Sequence, residues 1–354
     1  MNARVSELDG IRALAVSAVL YTHYANEASD LGHLGVRVFF VLSAFLITGI
    51  LIEARDTPRS SFADALGAFY IHRAFRILPA YFLMIAGVIV LDRHVGSDVI
   101  FHALFLSNFS FAMKGEWQPW EYSALWTLSV EWQFYLFWPF VVLRCSNRKI
   151  VMCTVFLMAG AVAFWAIVIW RGIDSEFTML ITPASFDALA VGALARIFAD
   201  KLRSPGLTQV ALAIWATIAT PSFLTLAMDS ENVRISLALQ ALAEFAPLYP
   251  IALLICVASS GVARPITTVL RIPPLVWIGT VSYGIYLYHV PALGLTTRLQ
   301  AFGIALPTEP SLLRLVVLSS VTVFVASLSW RYLEKPLQRY GKQIAARLRP
   351  EAVS

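Results

Sequence analysis

Charge is what this chain has least of. Of its 354 residues, 14% are Asp, Glu, Lys or Arg, against about 25% in a soluble domain. That shortfall excludes an ordinary water-soluble enzyme of this size. Cysteine is scarce too. Cys145, Cys153 and Cys256 stand singly in or beside apolar runs, which excludes a disulfide frame or a cysteine metal site and leaves three small hydrophobes. There is no 20–50-residue repeat and no low-complexity tract. No A-x-A-like cleavage site follows the first apolar run. That run is too long for a signal-peptide h-region and carries Arg12 and His23, so it is not a cleavable leader. No stretch fits a separate extramembrane domain. The net charge of +5 and pI of about 9.2 do not point to nucleic acid, because the cations sit in short loops between apolar runs.

What is present is apolar length. Hydrophobic residues make up 58% of the chain and mean hydropathy is +0.71. The excess comes as runs of about 20 residues, the length that crosses a bilayer. The expected fold class is therefore all-α: a polytopic membrane bundle of about ten transmembrane helices plus one re-entrant or interfacial segment. The expected spans are 9–25, 34–53, 79–95, 123–143, 150–170, 184–199, 207–228, 237–258, 275–297 and 312–332, with 98–113 too short and weak to cross. Basic clusters follow 53, 143, 199, 258 and 331. They fall on one side only if 98–113 returns without crossing, and the positive-inside rule makes that side cytoplasmic. Both termini are then cytoplasmic. The expected domains are 1–336, the membrane unit, and 337–354, a short basic amphipathic tail. The longest expected loop, 54–78, carries Arg55, Arg59, His72, Arg73 and Arg76.

Polar residues inside apolar helices are expensive, roughly 2.5 kcal/mol or more for a charge at the helix centre, and so demand a reason. In LDGIRALAVSAVLYTHY (8–24), Arg12 and His23 lie eleven residues apart. That spacing puts them on one face, about 16 Å apart along the axis. The topology places Arg12 near the inner surface and His23 in the outer half. Glu131 in WTLSVEWQFYLFWP and His289 in YGIYLYHVP reach similar depths, so one carboxylate and two imidazoles can converge. An imidazole can take a proton from a hydroxyl. A core histidine satisfied by a carbonyl is the plain alternative for His23, and a hydrogen-bond anchor to Tyr135 is that for Glu131. For His289 it is a cap on helix-end carbonyls. Arg73 and Arg76, in an R-x-x-R pair, suit a phosphate or pyrophosphate, or are ordinary inside-facing cations. Arg12 can simply pair with Asp9. Arg37 is expected at the outer surface, snorkelling. Asp187, in PASFDALAVGALARIF, is a further embedded acid, followed by small residues that suggest close helix packing.

Several stretches, in order, resemble the acyltransferase family 3 membrane proteins, the bacterial O-acetyltransferases of surface polysaccharides and their relatives. They are LDGIRALAV with His23, GVRVFFVLSAFLIT, FYIHRAFRILPAY, LWTLSVEWQFYLFWP, FDALAVGALA, VSYGIYLYHVP and SWRYLEKPL. Arg12 and His23 match the family's R/K-x10-H pair, Arg73 and Arg76 its R-x-x-R, and Glu131 the acid of its aromatic helix. Ala44 stands where the family usually has glycine, which could crowd a close backbone approach. No SGNH hydrolase-like domain follows SWRYLEKPL. The resemblance therefore implies a stand-alone membrane form that modifies its acceptor directly or needs a separate extracytoplasmic partner.

The resemblance further implies an acyl-CoA donor, most often acetyl-CoA, bound from the cytoplasm by Arg12, Arg73 and Arg76. It implies a carbohydrate acceptor (polysaccharide, lipopolysaccharide or glycolipid) on the outer side of a bacterial inner membrane, with membrane lipid around the protein. His23 and Glu131 are the expected catalytic residues, with Asp9, His289 and Tyr135 in support and no metal. The alternative is a transporter or flippase for a small anion or lipid-linked sugar, for which embedded Arg, His and Glu would serve proton coupling. No inverted repeat supports it.

Overall fold

The computed structural model describes residues 5–58, 61–91, 98–173, 176–261, 264–301 and 307–348. The expected end of the third span (92–95), Arg59, Asp174 and Arg349 lie outside the described residues. Among the described residues there are helices and connections and no strand. The helices are α1 (Ser6–Tyr24), α2 (Leu31–Asp56), α3 (Phe62–Leu91), α4 (Val99–Ala103), α5 (Ser107–Lys114), α6 (Leu125–Arg144), α7 (Asn147–Arg171) and α8 (Phe186–Ile197). They continue with α9 (Ala199–Leu202), α10 (Leu207–Met228), α11 (Val233–Phe245), α12 (Leu248–Ser260), α13 (Arg264–Leu270), α14 (Pro273–Ala301), α15 (Leu312–Ser329) and α16 (Lys335–Arg347). This is an all-α bundle of membrane type.

By length and composition, six helical stretches can cross a membrane among the described residues: Leu31–Asp56, Phe62–Val90, Asn147–Arg171, Leu207–Met228, Val233–Ser260 and Leu312–Arg347. The expected ten are not all recovered this way, and the reason is physical. α1 carries Glu7, Asp9 and Arg12, and α6 carries Glu131 among tryptophans. α8 has 12 residues, about 18 Å of helix, and so falls short of the expected span 184–199. These polar or short helices lie inward, while α7 and α10 turn large apolar side chains such as Phe156, Trp170, Leu207 and Trp215 outward.

The expected loop 54–78 is mostly helix. α2 runs to Asp56 and α3 begins at Phe62. Thr57 is extended (ψ 121°) because Pro58 follows it. Ser61 then caps α3: its Oγ accepts from the Asp64 N–H at 3.1 Å and donates to the Asp64 carboxylate at 2.5 Å. The third span, expected from 79, belongs to a helix that begins at Phe62, with Pro79 inside it. Arg73 and Arg76 are thus mid-helix residues. The 98–113 stretch forms α4 and α5, too short to cross. Between them Phe105 adopts the left-handed conformation (φ 57°), unusual for a bulky residue.

The centre of the bundle is tight. A Cβ on Gly279 of α14 would sit 1.8 Å from the Asp9 carbonyl oxygen of α1. A Cβ on Gly192 of α8 would sit 2.2 Å from the Val41 oxygen of α2 and 2.8 Å from Ala44 Cβ. Small residues let backbones touch in this way, and Gly192 accommodates the methyl of Ala44. α15 runs through a π turn (Trp330–Glu334) into α16, where Gly341 packs on Phe75 of α3.

Candidate active site

Two polar clusters share α1. The first surrounds its C-terminal end. The His23 and His289 rings meet edge to face, with centroids 4.9 Å apart and planes at 63°. His289 is buried, and its Nδ1 lies 2.5 Å from the Tyr286 carbonyl oxygen one turn back. Its Nε2 is buried without a hydrogen-bond partner. The Tyr286 ring packs on His289 at 5.3 Å, and its hydroxyl accepts from Thr127 Oγ1 at 2.9 Å. Tyr24, next to His23, donates to the His289 carbonyl at 2.8 Å and lies 2.9 Å from Thr322 Oγ1. Helices α1, α14 and α15 are therefore pinned together around the imidazole pair.

The second cluster lies toward the start of α1. Arg12 pairs with Asp9 at 2.6 Å. Arg73 interacts electrostatically with Arg76, Glu131, Tyr135 and Arg12, and its guanidinium lies 5.7 Å from the rings of both Phe69 and Tyr135. Like charges in a protein interior repel, and acids accompany these guanidiniums: Asp9 at Arg12, Glu131 at Arg73 and Glu334 at Arg76. Glu131 supplies part of the balance. Its Oε1 accepts from Ser43 Oγ and its Oε2 from Tyr135 Oη, both at 2.8 Å.

Of the sequence-derived candidates, the structure brings His23 to His289, Arg73 to Glu131, Tyr135 and Arg12, Arg76 to Glu131, and Arg12 to Asp9. It gives Glu131 the partners Ser43 and Tyr135 and no hydrogen bond to His23. Tyr286 stands between the two clusters, touching His289 and interacting with Glu131. Three residues escaped sequence reasoning, and a fourth, Arg37, was placed wrongly. Ser43 holds Glu131. Glu334, in the SWRYLEKPL stretch, is buried and interacts with Arg76 and Tyr283. Arg314 binds the end of α1. Arg37, expected at the surface, is buried at 2% exposure, paired with Asp187 at 2.5 Å and with Glu244 at 3.3 Å. An ionisable residue inside an apolar run was the available signal for Arg37, and the motif position for Glu334. Ser43 offered none. Among the described residues no group of three or more His, Cys, Asp or Glu side chains could hold a metal ion.

A partly buried His23 against a buried His289, and an arginine cluster around Arg73, lie inside one helical bundle of membrane type. The chain belongs to the acyltransferase domain family, acyltransferase family 3, which matches residues 5–331. It is similar to the peptidoglycan O-acetyltransferase OatA of Listeria monocytogenes, with 30% identity over 95% of this chain and 56% of that protein. It is also similar to YrhL of Bacillus subtilis, provisionally named a peptidoglycan O-acetyltransferase, with 29% identity over 94% of this chain and 55% of that protein. A provisionally named O-acetyltransferase of Staphylococcus aureus (strain COL) shows 26% identity over 94% of this chain and 57% of that protein. The chain spans about half the length of these curated relatives. No solved structure matches it.

Proposed function

We propose that this protein is an integral membrane O-acetyltransferase that moves an acetyl group from acetyl-CoA, or another acyl-CoA, to a carbohydrate hydroxyl. The observation that carries the reading is the division of α1: three guanidiniums around Arg12 and an imidazole pair around His23, about 16 Å apart on one helix face. CoA phosphates match the first and a reacting hydroxyl the second. The guanidinium end faces the cytoplasm and the imidazole end the outer side of a bacterial inner membrane, with both termini cytoplasmic.

In this scheme Arg12, Arg73 and Arg76 bind the CoA phosphates. Glu131 and Tyr135 hold Arg73 in place, with Asp9 holding Arg12. His23 takes the proton of the acceptor hydroxyl. The hydroxyl oxygen forms a bond to the thioester carbonyl carbon, the C–S bond breaks, and the CoA sulfur leaves as thiolate and takes up a proton. His289 orients the His23 ring through the edge contact. If acyl transfer runs in two steps, the imidazole nitrogen of His23 makes the first bond to the acyl carbon instead, and the hydroxyl displaces it. Both routes need His23. The relatives' names make peptidoglycan the first acceptor to assay; the acceptor is reached directly or through a separate extracytoplasmic protein.

The test is acetyl transfer by the purified protein from labelled acetyl-CoA to cell-envelope glycan, in detergent or vesicles. Label should appear in the glycan with the wild type and about 10²–10⁴-fold more slowly with His23→Ala. Movement of glycan or anion across vesicles without label transfer would replace this reading with a transporter.

A further inference from the structure

We infer that Arg314 is a positioning residue for His23, acting through the C-terminal carbonyls of α1; the inference rests on the catalytic reading of His23.

A helix ends with carbonyls that lack intrahelical donors. At the end of α1 the Ala25 and Asn26 N–H groups both bond back to the Tyr21 carbonyl, at 2.9 and 3.1 Å. The carbonyls of His23 and Tyr24 are taken up from another helix. Arg314 donates from Nη2 to the His23 oxygen at 2.7 Å and from Nε to the Tyr24 oxygen at 2.8 Å. Its remaining bonds go to the Glu27 carboxylate at 2.8 Å and the Thr308 carbonyl at 2.5 Å. The guanidinium therefore clamps the last turn of α1 and the connection that follows it. Its cation also sits where the helix dipole is negative.

The clamp is itself held. Arg314 is buried at 5% exposure in the first turn of α15. Ser311 caps that helix, its Oγ accepting from the Arg314 N–H at 3.1 Å, and the Ser311 N–H donates to the Tyr24 carbonyl at 3.2 Å. The planar fork suits this task better than an ammonium, because two donors of fixed geometry reach two successive carbonyls. Fixing these carbonyls fixes the His23 Cα, and with it the reach of the imidazole toward both His289 and an incoming hydroxyl. A shift of about 1 Å in a reacting group costs on the order of a hundredfold in rate.

The experiment compares wild type, Arg314→Lys and Arg314→Met for transfer from acetyl-CoA to cell-envelope glycan, normalised to folded protein by size-exclusion chromatography. Arg314→Met should lower kcat about a hundredfold and Arg314→Lys, which keeps the cation but not the fork, about tenfold, with the KM for acetyl-CoA unchanged in both. In a His23→Ala background the Arg314→Lys change should cost nothing further. A merely structural arginine would lower folded yield and leave kcat per folded molecule intact. Wild-type kcat in folded Arg314→Lys, a loss carried by the KM for acetyl-CoA, or a full additional loss in the His23→Ala background would each overturn the inference. If Arg314→Met does not fold, Arg314→Lys decides alone. Absence of transfer by the wild type would instead overturn the function on which the inference rests.

Discussion

The imidazoles of His23 and His289 lie in edge contact, 4.9 Å between centroids, although they come from the first and one of the last helices of the chain. Tyr24 ties the His289 backbone to α1 and Tyr286 packs on the other side. A positioned general base contributes about 10²–10⁴-fold. His23→Ala should therefore lower acetyl transfer by that range, and His289→Phe, which keeps a ring but no nitrogen, by about tenfold or more. Wild-type turnover in His289→Phe would show that the second ring only fills space.

Arg73 and Arg76 make the opposite kind of prediction. In the proposed scheme they bind the donor, so Arg73→Ala and Arg76→Ala should raise the KM for acetyl-CoA and leave kcat within a few-fold. A hydrogen bond to a charged group is worth about 1.5–3 kcal/mol, so each change should weaken donor affinity roughly 10- to 100-fold. Calorimetric titration of acetyl-CoA checks it. Unaltered affinity in both variants would make the pair ordinary inside-facing cations.

Glu131 is bound by Ser43 and Tyr135 and interacts with Arg73. Glu131→Gln keeps the shape but removes the charge. It should behave like the arginine variants, with a roughly tenfold weaker donor and a smaller effect on kcat. If kcat collapses while donor affinity holds, Glu131 acts in the chemical step and the present division of the site is wrong.

The ion pair of Arg37 and Asp187 joins α2 to α8 away from the imidazoles. Both side chains are buried. Asp187→Ala strands a buried guanidinium, with Glu244 3.3 Å from its Nε. Breaking one partner of such a pair costs about 3–5 kcal/mol. Thermal unfolding in detergent should show a large loss for Asp187→Ala and substantial recovery for Arg37→Met with Asp187→Leu. A stability unchanged by Asp187→Ala would mean that Glu244 suffices.

Gly279→Ala tests the packing that sets the distance between His23 and His289. The new methyl would fall 1.8 Å from a backbone oxygen of α1, so α1 and α14 must separate. Overpacking costs about 1–3 kcal/mol. Both thermal stability and kcat per folded molecule should drop; full retention of both would show that the helices part without effect.

Class, helical character and most span positions were legible in the chain, because bilayer crossing demands long apolar runs whatever they pack against. The expected span 207–228 coincides with α10, and 123–143 nearly with α6. Reading failed where local signals competed. The basic stretch 54–78 suggested a loop, yet the Ser61 cap and the run of good helix formers after it carry α3 through Arg73, Arg76 and Pro79 together. Arg37 looked like a snorkelling cation because its acid, Asp187, lies on another helix.

His23, Arg12, Glu131 and His289 were singled out by the sequence by itself, since ionisable groups in apolar helices are costly enough to be conspicuous, and the R-x-x-R pair by two guanidiniums spaced to lie side by side. Who meets whom only the tertiary structure decided. It put His289 rather than Glu131 against His23, gave Glu131 to Ser43 and Tyr135, and brought Arg314 from the far end of the chain to the carbonyls of His23 and Tyr24. The reason is that helical periodicity specifies a face and a depth, whereas the neighbour on that face is chosen by how the helices pack, through small residues such as Gly279 and Gly192 that no single helix can interpret alone.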